Sequence, residues 1–340
     1  MADVLGKMKA YLLQKAVSTV MKGAAGLGMV YYAQELKGIA ARANIDLGLG
    51  ILLQLVYEAS SCCTSIVVEG EDGTPYHIRT MDWGMDFLNS LTIQVHFYKG
   101  GKFRYSATTW AGYVGVLTGM RPGKCSVSVN FRDTGGSFWT NVKKAVTSRW
   151  PVGFLVREVL DDAKSFDQAV SWLATSGLIA PCYFTVAGPK KGQAVLLTRR
   201  QETEGKRWTL EDDGSIVQTN MDFWSDDPNE DILDSLERRA LAHSYIPKIK
   251  QVNEENLWKM MSVDPIMNSI TIYGTFMNPA SGILHTRVPV DNSFVPFTDD
   301  GSFKHDWIDA REPGKSGTVI EPWVKPVKPT KKKAVSKKKT

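Results

Sequence analysis

Two short strand patterns separated by a turn constrain this chain more than any other feature. They are "CTSIVVE" at 63–69 and "TPYHIRT" at 74–80, with "GEDG" between them. β-Branched and apolar residues on both sides of a Gly-containing turn specify an antiparallel hairpin. With the pairing centred on Glu71, Cys63 lies directly across from Arg79 on the same face, about 5 Å away at Cβ. A guanidinium beside a thiol favours the thiolate, which is the nucleophilic form. Asp82 follows near the strand end, where it would hold a cationic group close to Cys63.

The rest of the chain shows what must surround this hairpin. Residues 1 to about 60 read as helical, with apolar positions 5, 8, 12, 13, 16, 20 and 21 forming one face of a helix over 5–22. Strand patterns continue at "LTIQVHFYK", "YVGVLTG" and "CSVSVNF". Two well-punctuated helices come next: "WPVGFLVREVLDDA", with Pro151 at its start, and "SFDQAVSWLATSG", with a Ser cap and a closing Gly. Further strands follow at "CYFTVAG", "QAVLLTR" and "GSIVQTN", then helices near 230–246 and 254–262, then strands "SITIYGTFM" and "ILHTRVP". Strands, then helices, then strands again give an α+β fold, a sheet-rich core with helices on its outer faces in one domain.

Composition excludes several classes. Four cysteines in 340 residues are too few for a disulfide scaffold, and no Asn-x-Ser/Thr acceptor occurs. Lys7, Lys9 and Lys15 interrupt the start of the chain where a secretory leader needs an apolar run, so the expected location is the cytoplasm or a membrane periphery rather than the lysosome. No stretch is apolar enough for a spanning helix. The eight lysines of 325–340 exceed the whole net charge of +5 and leave the remainder at −3. A Pro/Lys segment of this kind cannot build a core and is expected to be disordered. It is either a tether to anionic lipid or nucleic acid or a solubilising end.

On the residues alone, Cys63 is a small buried hydrophobe or a nucleophile. His77, with parity that lets it share the face of Arg79, could make a thiol-protease pair with Cys63, but His96, His243, His285 and His305 sit in no local signature of that class. A base other than histidine therefore stays open.

The motifs "CTSIV…HIRTMDWG", "SATTWAGYVGVLTGMRPG", "IVQTNMDFW", "ERR" and "PIMNSITIYGTFMNPASGILHTRV", in this order from Tyr32 to Val288, resemble the acid ceramidase and N-acylethanolamine acid amidase family of N-terminal-nucleophile hydrolases, relatives of the choloylglycine hydrolases. The resemblance implies an αββα sandwich that cleaves a non-peptide amide bond of an N-acyl lipid, without a cofactor or a metal. It also implies self-cleavage between Cys62 and Cys63. Residues 1–62 would become a small subunit, residues 63–324 the catalytic core, and 325–340 the tail.

By the same resemblance Cys63 is the nucleophile, its freed α-amine is the base, and Cys62 contributes only its carbonyl. Arg79 orients the thiolate and contacts substrate. Asp82 accepts from the new α-ammonium, Asn220 donates to the oxyanion, and Arg238 supports the group, with Arg239 as the alternative. Asn130 stands next to Phe131, where lysosomal members carry an acid, and is placed with Trp83, Trp110 and Tyr113 among the substrate-binding residues; Leu117 joins the aromatics along the acyl channel. The alternative function is an idle lipid- or surface-binding relative that works through its basic tail, as a partner of an anionic membrane or of nucleic acid.

Overall fold

The computed structural model describes residues 15, 18–26, 28, 30–55, 61–134, 149–232, 234–289 and 308–309. The lysine tail and most of the expected helix over 5–22 lie outside them, although residues 18–26 are helical. Thirteen strands are described: β1 (Cys62–Glu69), β2 (Pro75–Asp82), β3 (Thr92–Lys99), β4 (Lys102–Trp110), β5 (Thr118–Arg121), β6 (Cys125–Phe131), β7 (Cys182–Ala187), β8 (Ala194–Arg199), β9 (Glu204–Thr209), β10 (Ser215–Gln218), β11 (Thr271–Asn278), β12 (Ile283–Val288) and β13 (Ile308–Asp309). The helices are α1 (Ala33–Ala43), α2 (Leu47–Leu53), α3 (Phe87–Leu91), α4 (Val152–Asp162), α5 (Phe166–Thr175), α6 (Leu210–Asp213), α7 (Ser235–Tyr245) and α8 (Glu254–Met261).

The strands form two antiparallel sheets, one in the order β10-β1-β2-β11-β12-β13 and the other a meander from β3 to β9. Strand alternation sends one set of side chains outward and the other between the sheets. Outward from the first sheet, Ile66, Val68, Ile78, Val217 and Phe276 pack on Ala242 of α7 and on Leu257 and Trp258 of α8. Outward from the second, Val127 and Val129 belong to a cluster with Val156 and Val159 of α4 and Leu173 of α5. The result is the expected α+β fold with helix, sheet, sheet and helix layers.

Between the sheets the central contacts are polar. Thr108 hydroxyl bonds join Thr275 (2.8 Å) and Thr286 (2.6 Å), and Thr118 meets the Tyr273 hydroxyl at 2.9 Å. Apolar contacts of Met120 with Met277 and Leu284, and of Val67 with Tyr183, lie elsewhere in the same interlayer.

The hairpin register differs from the sequence expectation. Cys63 pairs with Met81, and Arg79 pairs with Ser65. The cause is the turn. Glu69 pairs with Pro75, leaving five loop residues, 70–74, rather than the three that a centre at Glu71 leaves. Gly73 takes the left-handed conformation (φ 75°), the Gly70 amide donates to Thr74 O, and the Asp72 carboxylate holds the Thr74 amide at 2.8 Å. The centre moves by one residue and the register by two, so parity is kept: Cys63 and Arg79 share a face as diagonal neighbours.

Upstream of the hairpin, α1 and α2 attach through polar side chains. Arg157 of α4 forms a bidentate pair with Glu35 (2.7 and 2.8 Å) and stacks over Tyr32. Buried Gln54 accepts from the Val114 amide (2.7 Å) and donates to Gly112 O (3.0 Å).

Candidate active site

Cys63 is the second residue of β1 and is fully buried, with its side chain in the interlayer. Each of its polar atoms is held by a different side chain. Arg79 Nη2 donates to Sγ at 3.2 Å. The Cys63 amide donates to Asn220 Oδ1 at 2.8 Å. The Cys63 carbonyl accepts from Arg238 Nη1 at 2.7 Å and from Asn130 Nδ2 at 3.2 Å. Five separate stretches of chain, β1, β2, β6, the loop after β10 and α7, meet at one residue.

These partners are themselves fixed. Arg79 also donates to Val129 O (2.8 Å) and to the Tyr273 hydroxyl (3.0 Å). Arg238 reaches in from α7 to Thr64 Oγ1 (3.0 Å), Asn220 Oδ1 (3.2 Å) and Ser235 Oγ (3.0 Å). Asn220 Nδ2 donates to Ser61 O (3.1 Å) and Phe131 O (2.9 Å). Asp82 Oδ1 accepts from Thr271 at 2.6 Å, and Oδ2 lies 3.9 Å from Arg238 Nη1. Among the described residues Asp82 Oδ2 accepts no hydrogen bond.

Burial dominates the electrostatics. It pushes the Cys63 thiol up despite Arg79 beside it, so the intact chain holds a thiol rather than a thiolate. Burial also raises Asp82 to about 6 against the opposing pull of Arg238 and Thr271. The Cys62 thiol is pushed up to about 12 by burial first and by the neighbouring Cys63. All four cysteines are free.

A cleft of about 360 Å³ opens beside this centre. Trp83, Trp110 and Tyr113 line it together with Leu36 and Ile39 of α1 and Leu53 of α2. Trp110 packs on Trp83 (5.8 Å) and Tyr113 (5.8 Å), and on Tyr273 (5.9 Å), whose hydroxyl holds Arg79. Leu117, expected along the channel, is buried in the core and is not part of the cleft lining.

Residues 63–202 match the family of linear amide C–N hydrolases, choloylglycine hydrolase family. The chain is 36% identical over 257 residues to the N-acylethanolamine-hydrolyzing acid amidase of Oryctolagus cuniculus, a match spanning 74% of this chain and 70% of that one. It is 32% identical over 280 residues to the acid ceramidase of Bos taurus, spanning 75% and 69% of the two chains. The solved structure of the Caenorhabditis elegans N-acylethanolamine-hydrolyzing acid amidase ortholog superimposes with a TM-score of 0.56 at 32% identity, over 64% of this chain and 93% of that one. The chain belongs to this family. It is an amidohydrolase of linear amides with the N-terminal-nucleophile hydrolase fold.

For this choloylglycine-family hydrolase, the structure brings Cys63, Arg79, Asp82, Asn220 and Arg238 into one cluster. It also separates the two adjacent arginines: Arg239 turns away to Asp222 O (3.1 Å), Ser225 O (2.7 Å) and Asp226 (2.7 Å). Asn130 stands apart from the cleft, with its amide spent on the Cys63, Gln218 and Thr219 carbonyls. Sequence reasoning missed Tyr273, which anchors Arg79, and Ser61, Thr271, Ser235 and Gln54. Tyr273 was within reach: period two along β11 puts it on the face of Thr275, toward the second sheet.

Proposed function

We propose that the chain is a cysteine amidase of N-acyl lipids that matures by cutting itself between Cys62 and Cys63. One observation carries this reading: the sulfur, amide and carbonyl of Cys63 are each gripped by a separate side chain. A merely structural cysteine has no need of that arrangement. The named activities of the amidase and ceramidase relatives supply the substrate class, an acyl chain amide-linked to an ethanolamine or a sphingoid base.

In maturation the Cys63 thiol attacks the Cys62 carbonyl carbon. The peptide C–N bond breaks, the thiol proton ends on the departing amine, and a thioester remains. Water hydrolyses it, leaving the Cys62 carboxylate and a Cys63 with both thiol and α-amine free. An unperturbed α-amine titrates at about 8, within reach of a general base near neutrality. It takes the thiol proton, the thiolate attacks the substrate carbonyl, and the resulting ammonium protonates the leaving amine. A second hydrolysis releases the fatty acid.

Two contacts in the intact chain fit this sequence of events. The Asn220 amide, the proposed oxyanion donor, is occupied by Ser61 O, a residue upstream of the cut, so cleavage would free the donor. Asp82 Oδ2 is buried, accepts no hydrogen bond among the described residues and would gain a donor in the new α-ammonium. Asp82 and Arg238 thus hold the chain end while Arg79 holds the sulfur.

The cleft is the proposed acyl site. Phe87 (61% exposed) and Leu53 (50%) stand on its rim with Ile45 and Leu91. An apolar rim of this kind suits a substrate drawn from a lipid surface, and the lysine tail would add attraction to an anionic one.

The mass of the purified protein and a panel of N-acyl amides test the reading. Two fragments meeting at Cys62/Cys63 and hydrolysis by the processed enzyme are expected, with Cys63→Ala remaining one inactive chain. A Cys63→Ala protein that hydrolyses as fast as the unaltered chain would overturn it. Deleting 325–340 should leave turnover in detergent unchanged and lower it on anionic vesicles at low salt; equal turnover there removes the tail from the membrane role.

A further inference from the structure

One buried titratable group takes no part in the chemistry above. His77 of β2 has no exposed surface, and burial, with the charge of Arg79 adding to it, pushes the imidazole down to about 3, so the ring is neutral. Both ring nitrogens are bonded, Nδ1 with Ser126 Oγ at 2.9 Å and Nε2 with Ser128 Oγ at 2.8 Å. Ser128 Oγ donates to Ser65 Oγ at 2.8 Å, and Ser65 Oγ donates to Asn130 Oδ1 at 2.7 Å. Asn130 Nδ2 then faces the carbonyls of Cys63 (3.2 Å), Gln218 (2.9 Å) and Thr219 (3.0 Å).

The direction of every bond follows from what each group can donate. Three carbonyls only accept, so the Asn130 nitrogen must face them and its oxygen must face Ser65. An amide oxygen only accepts, so Ser65 spends its one proton there. Ser65 must therefore accept from Ser128, which spends its own proton in turn. Ser128 can only accept from His77, which places the ring proton on Nε2. Nδ1, bare in that tautomer, accepts from Ser126. The chain crosses the interlayer from Ser126 to the Cys63 carbonyl in a single polarity.

We propose that His77, held as the Nε2–H tautomer, is a positioning residue that locks Asn130 and through it the carbonyl of Cys63, keeping the nucleophile in place once its bond to Cys62 is gone. This rests on Cys63 being the nucleophile of a cleaved chain. A newly made chain end retains one covalent link and frays unless tied down. The Cys63 carbonyl is the backbone group by which residue 63 stays anchored from its other side, and Arg238 and Asn130 approach it from α7 and β6. A displacement of the sulfur by 1 Å costs on the order of a hundredfold in rate.

Four variants separate this role from a structural one. His77→Gln retains one donor and one acceptor; His77→Phe retains the bulk and loses both. Ser65→Ala cuts the chain further along with the ring untouched. The expected result is a kcat near that of the unaltered enzyme for His77→Gln, and a loss of roughly tenfold or more at unchanged KM for His77→Phe and for Ser65→Ala. The double variant His77→Phe/Ser65→Ala should be no slower than the slower single. The 15N spectrum of the ring should show the neutral Nε2–H form from pH 8 down to pH 5.

Full kcat in both His77→Phe and Ser65→Ala overturns the proposal, as does His77→Gln being as slow as His77→Phe in folded protein, or a ring protonated on Nδ1. If His77→Phe does not fold, Ser65→Ala decides alone: full kcat overturns the proposal and reduced kcat supports it. A Cys63→Ala protein with full activity is a separate failure, of the nucleophile assignment itself.

Discussion

The two faces of β1 differ in kind. Ile66 and Val68 point outward into an apolar cluster with residues of α7 and α8, next to the polar group of Thr64 and Arg238 at the start of the strand, while Cys63 and Ser65 point inward to a layer of Arg79, His77, Ser126, Ser128, Asn130 and Tyr273. Apolar packing is non-directional and tolerates adjustment. A buried polar network is costly unless satisfied, and once satisfied it permits one arrangement. Beyond Thr64, whose hydroxyl Arg238 holds, the outward face therefore supplies stability and the inward face supplies position, two tasks divided between alternate residues of one strand.

The comparison breaks most severely at Arg79. Arg79→Met should leave an intact, inactive chain by mass and by turnover, with melting temperature changing far less than activity; a processed, active variant would show that the inward face does not position the sulfur. Next in size is Asn220→Ala, expected to lower kcat by about 10²–10³-fold with a smaller change in KM, because the proposed oxyanion bond would be made in the transition state. An unchanged kcat would remove Asn220 from the site.

The outward face predicts the opposite pattern. Ile66→Val should cost about 0.5–1.5 kcal/mol in denaturant unfolding and leave kcat of the folded protein unchanged. A kcat loss as large as that of Asn220→Ala would erase the division between the faces.

The smallest effects are in pH dependence, and the two buried groups have opposite signs. His77 is depressed to about 3, so its contribution is full above the unfolded value near 6.5 and is lost as pH falls toward 3. Asp82 is raised to about 6, so its contribution is present below the unfolded carboxylate range near 4 and is lost as pH rises through 6. His77→Gln should therefore lose less stability than the unaltered chain between pH 6.5 and 4. Asp82→Asn should flatten the loss between pH 4 and 6; identical slopes in all three proteins would place both groups in contact with water.

How much of this was legible follows from the same division. The hairpin, the capped helices and the strands "CSVSVNF" and "CYFTVAG" were visible because alternation and capping are local. Ser165 accepts from the Gln168 amide at 3.2 Å, as an N-cap should. Strand β4 was missed because its second half, Tyr105 to Trp110, is buried on both faces and does not alternate. Strand β9, "EGKRWT", was missed because charged residues blunt a sheet edge. "YVGVLTG" was placed as a strand, whereas β5 begins only at Thr118 and Tyr113 closes a turn on Trp110 O. Cys63, Arg79 and Asp82 were drawn together by the hairpin pattern, their roles and the residues Asn220 and Arg238 came from motif resemblance, and the structure gathers all five. The seryl chain from His77 was not visible, since serines alternating with valines read as one buried and one wet face until a second sheet covers the wet one.

One feature of the cleft bears on how such an enzyme changes over generations. Leu36, Ile39, Ala43, Ile45 and Leu53 form one wall and all lie upstream of Cys63, whereas the residues that grip Cys63 all lie downstream. One wall of the cavity is thus encoded apart from the residues that hold Cys63, while the facing wall of Trp83, Trp110 and Tyr113 is encoded with them. Drift in the upstream stretch can lengthen, shorten or bend that wall of the proposed acyl site without touching a residue that holds Cys63, so descendants can diverge in diet while inheriting the same chemistry.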